Sequence, residues 1–260
     1  MIPSTVVDVI VVLLATVAGS AGLVIARRVI PHEQVRGHNE AAGFISATLG
    51  VIYAVLMAFV VIAVWETYAK AEDVVAAEAA SLVSLYRDAN AFPEPQRQEL
   101  QEALRRYARA VIDDEWATMR QGKPSPKTEQ ALSSILRLYR ELRPQSPWEV
   151  AIGAESFRQL NEVSKQRTQR LEASRGALPQ VFWPVLVGGG ILTVFFTYFF
   201  HTENLRAHAV MCGLLGGLVA ATLFLVVAFD RPFVGDTSIS PEAFTFALEL
   251  FEMEGPAAAR

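Results

Sequence analysis

The chain has 260 residues, 52% of them hydrophobic, with a mean hydropathy of +0.29 and a formal net charge of −4. A net charge so close to zero provides no broad basic surface, so nucleic acid is excluded as an expected partner. The single cysteine, Cys212, excludes an intrachain disulfide and any metal site built from several thiolates.

Four uninterrupted apolar blocks predict membrane spans, for which the lipid bilayer is the expected solvent. They cover about residues 6–26, 41–65, 181–200 and 209–229. A helix needs roughly 20 residues to cross the hydrocarbon core, and each block meets that length. Asp8, near one end, is the only charged side chain within them. A cleaved signal peptide is the alternative for the first block, but Arg27 and Arg28 follow it rather than precede it, which favours a retained span.

Between the second and third blocks, residues 66–178 are charged and amphipathic. Proline-marked breaks divide this insert into four pieces, at residues 92–95, 123–126 and 143–147. Apolar side chains recur at helical spacing inside the pieces, as in Leu100, Leu104, Tyr107, Val111 and in Leu132, Ile135, Tyr139, Leu142. Ser125 and Ser146 each precede a proline, as N-cap residues do, and Glu149 completes a capping box with Ser146. These signals predict a water-exposed, four-helix, up-and-down bundle.

The predicted fold class is therefore an all-α integral membrane protein with four transmembrane helices and an inserted four-helix bundle. Its parts are residues 1–65 with spans one and two, 66–178 with the bundle, 179–229 with spans three and four, and 230–260 as a short tail. No helix breaker occurs from residue 41 to residue 90, so the first bundle helix is expected to continue the second span. The tail is expected to hold one helix near residues 242–252.

Catalytic motifs are missing from the sequence, which contains no P-loop, no Gly-x-Ser-x-Gly and no His-Glu-x-x-His. Two His-x-Glu triplets begin at His38 and His201, but the deaminase signature also needs a cysteine pair that this chain lacks. We therefore expect no enzymatic activity and no bound cofactor, and we assign no resident metal.

Two short loops, residues 27–40 and 201–208, must lie on the same membrane face, because each connects two consecutive spans. They carry all four histidines of the chain together with other polar groups: His32, His38, Asn39, Glu40, His201, Glu203, Arg206 and His208. One hypothesis is that these residues line a polar vestibule that senses pH, binds a divalent metal or selects ions. The alternative is that short interfacial loops are simply polar.

The second span carries small residues at intervals of three or four: Gly43, Ala47, Gly50, Ala54 and Ala58. Such a stripe lets helices pack closely, and a pore lining is the alternative explanation. No ionisable acid, base or histidine lies deep in any of the four blocks, which counts against active transport. A channel that closes by an apolar constriction needs no such group.

Four motifs are informative when taken together. They read His-Asn-Glu-Ala-Ala-Gly-Phe at residues 38–44, Val-Ile-Tyr-Ala-Val-Leu at 51–56, Val-Trp-Glu-x-Tyr at 64–68 and Asp-Arg-Pro-Phe-x-Gly-Asp at 230–236. With these motifs the chain resembles the bestrophin-like family of mostly bacterial membrane proteins. The resemblance extends over nearly the whole chain and implies a multi-pass protein of the bacterial inner membrane.

More distantly, the chain is similar to the bestrophins, which are pentameric anion channels. Trp65 and Tyr68 resemble the end of the second bestrophin helix, and a second match follows the fourth helix, at Asp230, Arg231, Pro232, Phe233, Gly235 and Asp236. The resemblance implies a homo-oligomer, pentameric if it is bestrophin-like in full, that conducts inorganic ions. It also implies an apolar pore neck on the second span, with the candidates Ala47, Gly50, Val51, Ala54, Val55 and Ala58. The acidic cluster of the bestrophin calcium clasp is reduced here to Asp230 and Asp236.

The predicted function is an ion channel, conducting anions, whose pore is lined by the second span. The alternative is a non-conducting sensor or scaffold whose helical bundle binds a ligand or a partner protein. Ordinary structural roles also exist for the matched residues, since Trp65 is a typical interfacial aromatic and Gly235 a typical helix terminator. The basic residues near the spans are distributed on both faces, so the sidedness of the bundle stays open.

Overall fold

A computed structural model describes residues 4–29, 39–200, 202 and 204–254. The helices are, in chain order, α1 (Ser4–Val29), α2 (Asn39–Asp88), α3 (Gln96–Ala110), α4 (Pro126–Glu141), α5 (Pro147–Ala173), α6 (Phe182–Phe196), α7 (Leu205–Asp230) and α8 (Glu242–Met253). A π-helical segment, Val111–Glu115, and a helical turn, Trp116–Met119, continue α3. No strand occurs among the described residues, and the all-α prediction is confirmed.

Within the part of the chain that the structure describes, four helices are long and apolar enough to cross a membrane. The qualifying segments are Val9–Val29, Ala42–Ala91, Phe182–Phe199 and Leu205–Asp230. The prediction of four spans is therefore confirmed. The 50 residues of α2 run without a break from the second span into the insert, as the missing helix breakers indicated.

The chain forms two compact units. The first, here called the transmembrane unit, comprises Met1–Glu66 and Ala177–Asp230. The second, here called the bundle unit, comprises Thr67–Gly176 and Arg231–Arg260. Helix α2 begins in the first unit and ends in the second.

Within the transmembrane unit, α1 and α7 approach each other closely along glycines. A Cβ atom built on Gly19 would lie only 2.7 Å from the carbonyl oxygen of Cys212, and one on Gly216 would lie 3.0 Å from that of Ala15. The Ser20 hydroxyl donates a hydrogen bond to the Ala209 carbonyl across this contact, over 2.9 Å. The glycines of the fourth span thus serve helix packing, as small residues do where lipid removes the hydrophobic driving force between helices.

The other side of the transmembrane unit holds α2 against α6 and α7 with apolar side chains. Its buried members are Met57, Val60, Val64, Leu186 and Val226. At the edge of this cluster the Trp65 ring meets the Phe229 ring edge to face, with ring centroids 5.1 Å apart. Trp65 therefore makes a packing contact as well as lying at the end of the predicted span.

The bundle unit has one core, to which α2, α3, α4, α5 and α8 all contribute. Its most buried large side chains include Leu82, Tyr86, Leu104, Tyr107, Ile135, Leu160, Val163, Phe244 and Phe251. The predicted N-caps are present, because the Ser125 hydroxyl accepts from the Thr128 amide and the Ser146 hydroxyl from the Glu149 amide. The Glu149 carboxylate accepts from the Gln145 amide, over 2.8 Å.

Helix α8 is part of that core, a role that the prediction of a tail helix did not include. The Tyr86 ring stacks on the Phe251 ring with centroids 4.2 Å apart, and the Tyr86 hydroxyl donates to the Phe251 carbonyl over 3.0 Å. Arg105 donates to the same carbonyl over 3.2 Å. These donors satisfy a carbonyl at the end of α8, where the helix offers no further amide.

Candidate functional site

The six pore-lining candidates lie on one side of α2, and the structure leaves that side largely uncovered. Val51 and Val55 are 63% and 51% exposed, Ala47, Ala54 and Ala58 are also exposed, and Gly50 is half-buried. A Cβ atom built on Gly50 would have no neighbour within 4 Å. The opposite side of the helix carries Met57, Val60 and Val64, which are buried in the transmembrane unit.

This exposed side also carries the larger side chains of Phe44 and Ile62. Its small and medium members are the six candidates, which we call the α2 face, meaning Ala47, Gly50, Val51, Ala54, Val55 and Ala58. In a membrane protein such a surface contacts lipid, another helix or a water-filled path. Helices of one chain cannot enclose a path on a side that they leave uncovered. A pore along the α2 face therefore requires further copies of the chain.

The vestibule candidates are only partly described. His32, His38, His201 and Glu203 lie outside the described residues, as does the side chain of Asn39. Glu40 and Arg206 are exposed. His208 is 5% exposed and therefore buried within the transmembrane unit. Among the described residues, no group of three or more histidine, cysteine or acidic side chains could hold a metal ion.

His208 makes two hydrogen bonds that define its tautomer. Its Nδ1 atom lies 3.3 Å from Nη2 of Arg27, and its Nε2 atom lies 3.0 Å from the Thr197 carbonyl oxygen. Because a guanidinium can only donate, Nδ1 accepts and Nε2 carries the proton that it donates to the carbonyl. Arg27 also donates to the Phe200 carbonyl over 3.2 Å. His208 thus joins the end of α1 to the 3₁₀-helical turn Thr197–Phe199 that follows α6.

The first residue of the motif after the last span makes structural hydrogen bonds to the backbone. The Asp230 carboxylate is buried and accepts from the backbone amides of Ala177 and Leu178, over 2.9 Å and 2.8 Å. One acidic residue of the calcium-clasp comparison is therefore already committed to backbone amides that lead into α6. Asp236 is exposed, and Arg231 is exposed as well.

The remainder of the motif packs into the bundle unit. Phe233 is buried against the Trp116 ring, with centroids 5.6 Å apart. Gly235 has a φ of 92°, a left-handed conformation that favours glycine. The Ile239 amide donates to the Pro232 carbonyl over 2.8 Å, and the Trp116 indole donates to the Ile239 carbonyl over 3.1 Å. These contacts explain the sequence Pro-Phe-x-Gly without a ligand.

A buried charge network in the bundle unit was missed by the sequence analysis. We call it the charge network and define it as Glu78, Tyr107, Glu115, Arg167 and Arg170. Arg170 donates to Glu78 over 2.8 Å and 3.0 Å and to Glu115 over 2.9 Å. Arg167 donates to Glu115 over 2.7 Å and 3.1 Å. The Tyr107 hydroxyl donates to Glu78 over 2.6 Å.

The network is balanced in charge, and this balance sets its protonation. Burial raises the pKa of Glu115, but hydrogen bonds from Arg167 and the charges of both arginines outweigh burial, so the pKa is lowered. Burial lowers the pKa of Arg170, but Glu78 reverses that effect, so its pKa is raised. Burial and the neighbouring Glu78 raise the pKa of Tyr107 well above its usual value. Both arginines and Glu115 therefore stay charged at neutral pH, and Tyr107 stays neutral.

One pattern in the sequence does indicate this network, because charged residues on α5 occupy positions whose helical spacing predicts buried apolar side chains. On α5, Leu160 and Val163 are followed at the same spacing by Arg167 and Arg170. The π-helical segment ends at Glu115, whose side chain is fully buried. A π-helical insertion changes which side chains face inward, and neither helical spacing nor capping residues predict one.

Comparison with known proteins agrees with this architecture. The fold is an all-α, four-span membrane fold with a helical insert, and the family model of the Bestrophin-like domain matches residues 13–244. The chain therefore belongs to the bestrophin-like family, and the resemblance stated from its motifs is confirmed. A comparison with curated proteins found no match.

Solved structures of bacterial bestrophin homologues share the fold. One variant of a homologue from Klebsiella pneumoniae is 17% identical, with a TM-score of 0.73, and the match covers 95% of this chain and 98% of that one. Another structure from the same organism is 15% identical, with a TM-score of 0.70, covering 94% and 98%. At these identities the similarity establishes the fold, and residue roles need separate arguments.

Proposed function

We propose that this protein is a homo-oligomeric ion channel of the bacterial inner membrane, selective for anions, whose pore is lined by the α2 face. The observation that carries the proposal is that five of the six small and apolar candidates are exposed, and Gly50 is half-buried, on one side of a membrane-spanning helix. Membership of the bestrophin-like family and the fold of bacterial bestrophin homologues support it. A pentamer is the assembly that the bestrophin resemblance favours.

The chemistry of the spans supports passive conduction over coupled transport. A coupled transporter needs titratable or ion-coordinating groups near the middle of the membrane. The predicted spans contain no acid or base there. An apolar ring formed by copies of Val51 and Val55 would instead close by loss of water and open by a small widening.

The test is ion flux into liposomes that contain purified protein, with separate chloride and potassium gradients. Val51→Phe and Gly50→Leu add bulk to the α2 face and are expected to reduce chloride flux to a small fraction of the wild-type value. Leu218→Phe is the matched control, because Leu218 is 65% exposed on α7, outside the proposed pore, and its flux should not change. Equal effects of all three substitutions would contradict a pore along α2.

A specific observation also favours the second candidate, a sensor or scaffold. The bundle unit has a groove of about 420 Å³ between α2 and α8, lined among others by Ala76, Ala80, Val83 and Phe246. An apolar groove in a water-exposed unit suits a hydrophobic segment of a partner. If folded, oligomeric protein shows no flux with either gradient, this groove becomes the principal candidate site.

A further inference from the structure

The side of α2 opposite the α2 face contains a tyrosine that enters a notch in α6. A Cβ atom built on Gly189 would lie 2.8 Å from Cδ2 of Tyr53, and one built on Gly190 would lie 2.9 Å from the Tyr53 hydroxyl oxygen. Both distances are shorter than the approximately 3.5–4.0 Å at which carbon atoms normally pack. Glycine at these two positions therefore makes the space that the Tyr53 side chain occupies, and Gly190 also makes room for Val219 of α7, whose Cγ1 atom would lie 2.6 Å from a Cβ atom built there.

The hydroxyl of Tyr53 fixes the ring at a defined height along α6. It donates a hydrogen bond to the Leu186 carbonyl over 3.0 Å. Leu186 is fully buried, in the cluster that also holds Met57 and Val60 of α2. Inside a bilayer a tyrosine hydroxyl has no water to bond, so losing this acceptor leaves an unsatisfied polar group.

The position of Tyr53 in α2 links this contact to the α2 face. Tyr53 directly precedes Ala54 and is two residues from both Val51 and Val55. Because Tyr53 and the α2 face belong to one helix, any rotation of α2 about its axis turns the α2 face by the same angle as the Tyr53 side chain. A ring seated in a notch, with its hydroxyl bonded to a fixed carbonyl, opposes both rotation and sliding.

We propose that Tyr53 is a positioning residue, which through Gly189, Gly190 and the Leu186 carbonyl sets the rotation and height of α2 and thereby the orientation of the α2 face. This inference rests on the proposed channel function, since it assigns a role in conduction to a residue outside the pore lining. Ordinary packing would make the same contact but would not control flux per folded protein.

The sharpest test compares two neighbouring glycines of α6. Gly189→Ala pushes a methyl group against the Tyr53 ring, whereas Gly188→Ala is the matched control, because a Cβ atom on Gly188 has no neighbour within 4 Å. We expect chloride flux per folded oligomer to fall by about tenfold in Gly189→Ala and to stay unchanged in Gly188→Ala. Tyr53→Leu, which removes the ring and its bond to the Leu186 carbonyl, should lower the flux as well, and adding Gly189→Ala to it should lower the flux no further, because the ring that the methyl group displaces is gone.

A structural readout separates this proposal from the channel proposal. Spin labels are attached at Ile52→Cys on α2 and Val185→Cys on α6, in Cys212→Ser protein diluted with unlabelled chains. Both labelled positions are exposed. Gly189→Ala should shift the mean distance between labels by about 1 Å or more, because the ring must move from 2.8 Å to an ordinary contact distance. Gly188→Ala should leave the distance unchanged.

The outcomes distinguish the two failures. A distance shift in Gly189→Ala but not in Gly188→Ala, together with loss of flux in both Gly189→Ala and Tyr53→Leu and no further loss in the double variant, supports the positioning role of Tyr53. No flux from wild-type protein overturns the channel proposal, and the spin-label distances then still decide whether Tyr53 positions α2. Equal distances in the Gly188→Ala and Gly189→Ala proteins, or flux in Gly189→Ala equal to wild type, overturn the positioning role.

Discussion

The α1–α7 contact of the transmembrane unit and the core of the bundle unit hold their helices together by different means. In the transmembrane unit, α1 and α7 meet backbone to backbone along Gly19 and Gly216, and few large side chains are buried. In the bundle unit, the core consists of large apolar and aromatic side chains around the buried charges of Arg167 and Arg170. This difference is the one expected if the transmembrane unit faces lipid and the bundle unit faces water, as the sequence predicts.

Lipid provides no hydrophobic force between helices, so a membrane helix pair gains stability from close contact and from hydrogen bonds. Water drives large apolar side chains inward, at roughly 25 cal/mol for each Å² of apolar surface removed from water. The bundle unit can therefore accommodate a charge network whose desolvation is costly, provided that each charge keeps its partners. Each unit should accordingly be most sensitive to a different kind of substitution.

The largest loss of stability is expected from a substitution in the charge network. Arg170 is fully buried and bonded to both Glu78 and Glu115, and it lies 5.5 Å from the Trp116 ring centroid. Arg170→Met keeps much of the side-chain volume but leaves two buried carboxylates short of a partner. We expect the free energy of unfolding to fall by about 3–5 kcal/mol. Denaturant titration in detergent, followed by circular dichroism, measures it.

An exposed ion pair provides the control for that prediction. Arg87 and Glu254 are joined over 2.7 Å, but the Arg87 side chain is 56% exposed, so water replaces the partner when the pair is broken. Arg87→Met should therefore leave the unfolding transition nearly unchanged. A loss as large as that of Arg170→Met would show that burial is not what makes the network sensitive.

The second-largest loss of stability is expected at the backbone contact of the transmembrane unit. Gly19→Ala places a methyl group 2.7 Å from the Cys212 carbonyl oxygen, which is backbone and cannot rotate away. The transmembrane unit should lose about 1–3 kcal/mol, as overpacked sites do. Gly188→Ala meets nothing within 4 Å and should instead be neutral or stabilising, by up to about 0.5–1 kcal/mol. Thermal unfolding followed by tryptophan fluorescence distinguishes the opposite signs.

The same comparison shows which features of the fold can be predicted from the sequence alone. Span positions, the unbroken α2 and the caps at Ser125 and Ser146 follow from local patterns, since apolar length, missing breakers and capping residues act within a few turns. The π-helical segment before Trp116 and the burial of α8 depend on contacts between residues far apart in the chain. The contents of the α2 face could be named, but its exposure required the structure.

For the same reason, two residues that the sequence placed in candidate sites have contacts that only the fold reveals. The vestibule loops were grouped by topology, yet His208 is buried and bonded to Arg27, a contact that loop composition does not specify. Asp230 was compared with a calcium ligand, yet its carboxylate caps the amides before α6. Short polar side chains bond to the nearest unsatisfied backbone group, and the identity of that group depends on the fold.

A smaller, pH-dependent effect is expected from Glu115. Its pKa is lowered in the folded protein, mainly because Arg167 and Arg170 outweigh the burial that would raise it. A lowered pKa means that Glu115 stabilises the fold fully above the unfolded-state pKa of about 4.3, and that this stabilisation is lost as pH falls through the folded-state pKa. Unfolding free energy measured from neutral pH to acid should therefore decline more steeply for wild type than for Glu115→Gln. Parallel pH profiles would contradict this assignment.

The smallest loss of stability is expected at the Phe251 carbonyl, which accepts hydrogen bonds from two side chains. Tyr86→Phe removes the hydroxyl that bonds to the Phe251 carbonyl, but Arg105 still donates to that oxygen over 3.2 Å, and the stacked rings remain. Because the acceptor keeps a partner, the loss should be about 0.5–1.5 kcal/mol, the value of one ordinary hydrogen bond. Arg105 also donates to the Tyr86 hydroxyl and lies over its ring, and either single substitution breaks that contact, so the loss in Tyr86→Phe with Arg105→Met should be smaller than the sum of the single losses. Additive losses in this double-mutant cycle would mean that the direct contact between Arg105 and Tyr86 contributes nothing to stability.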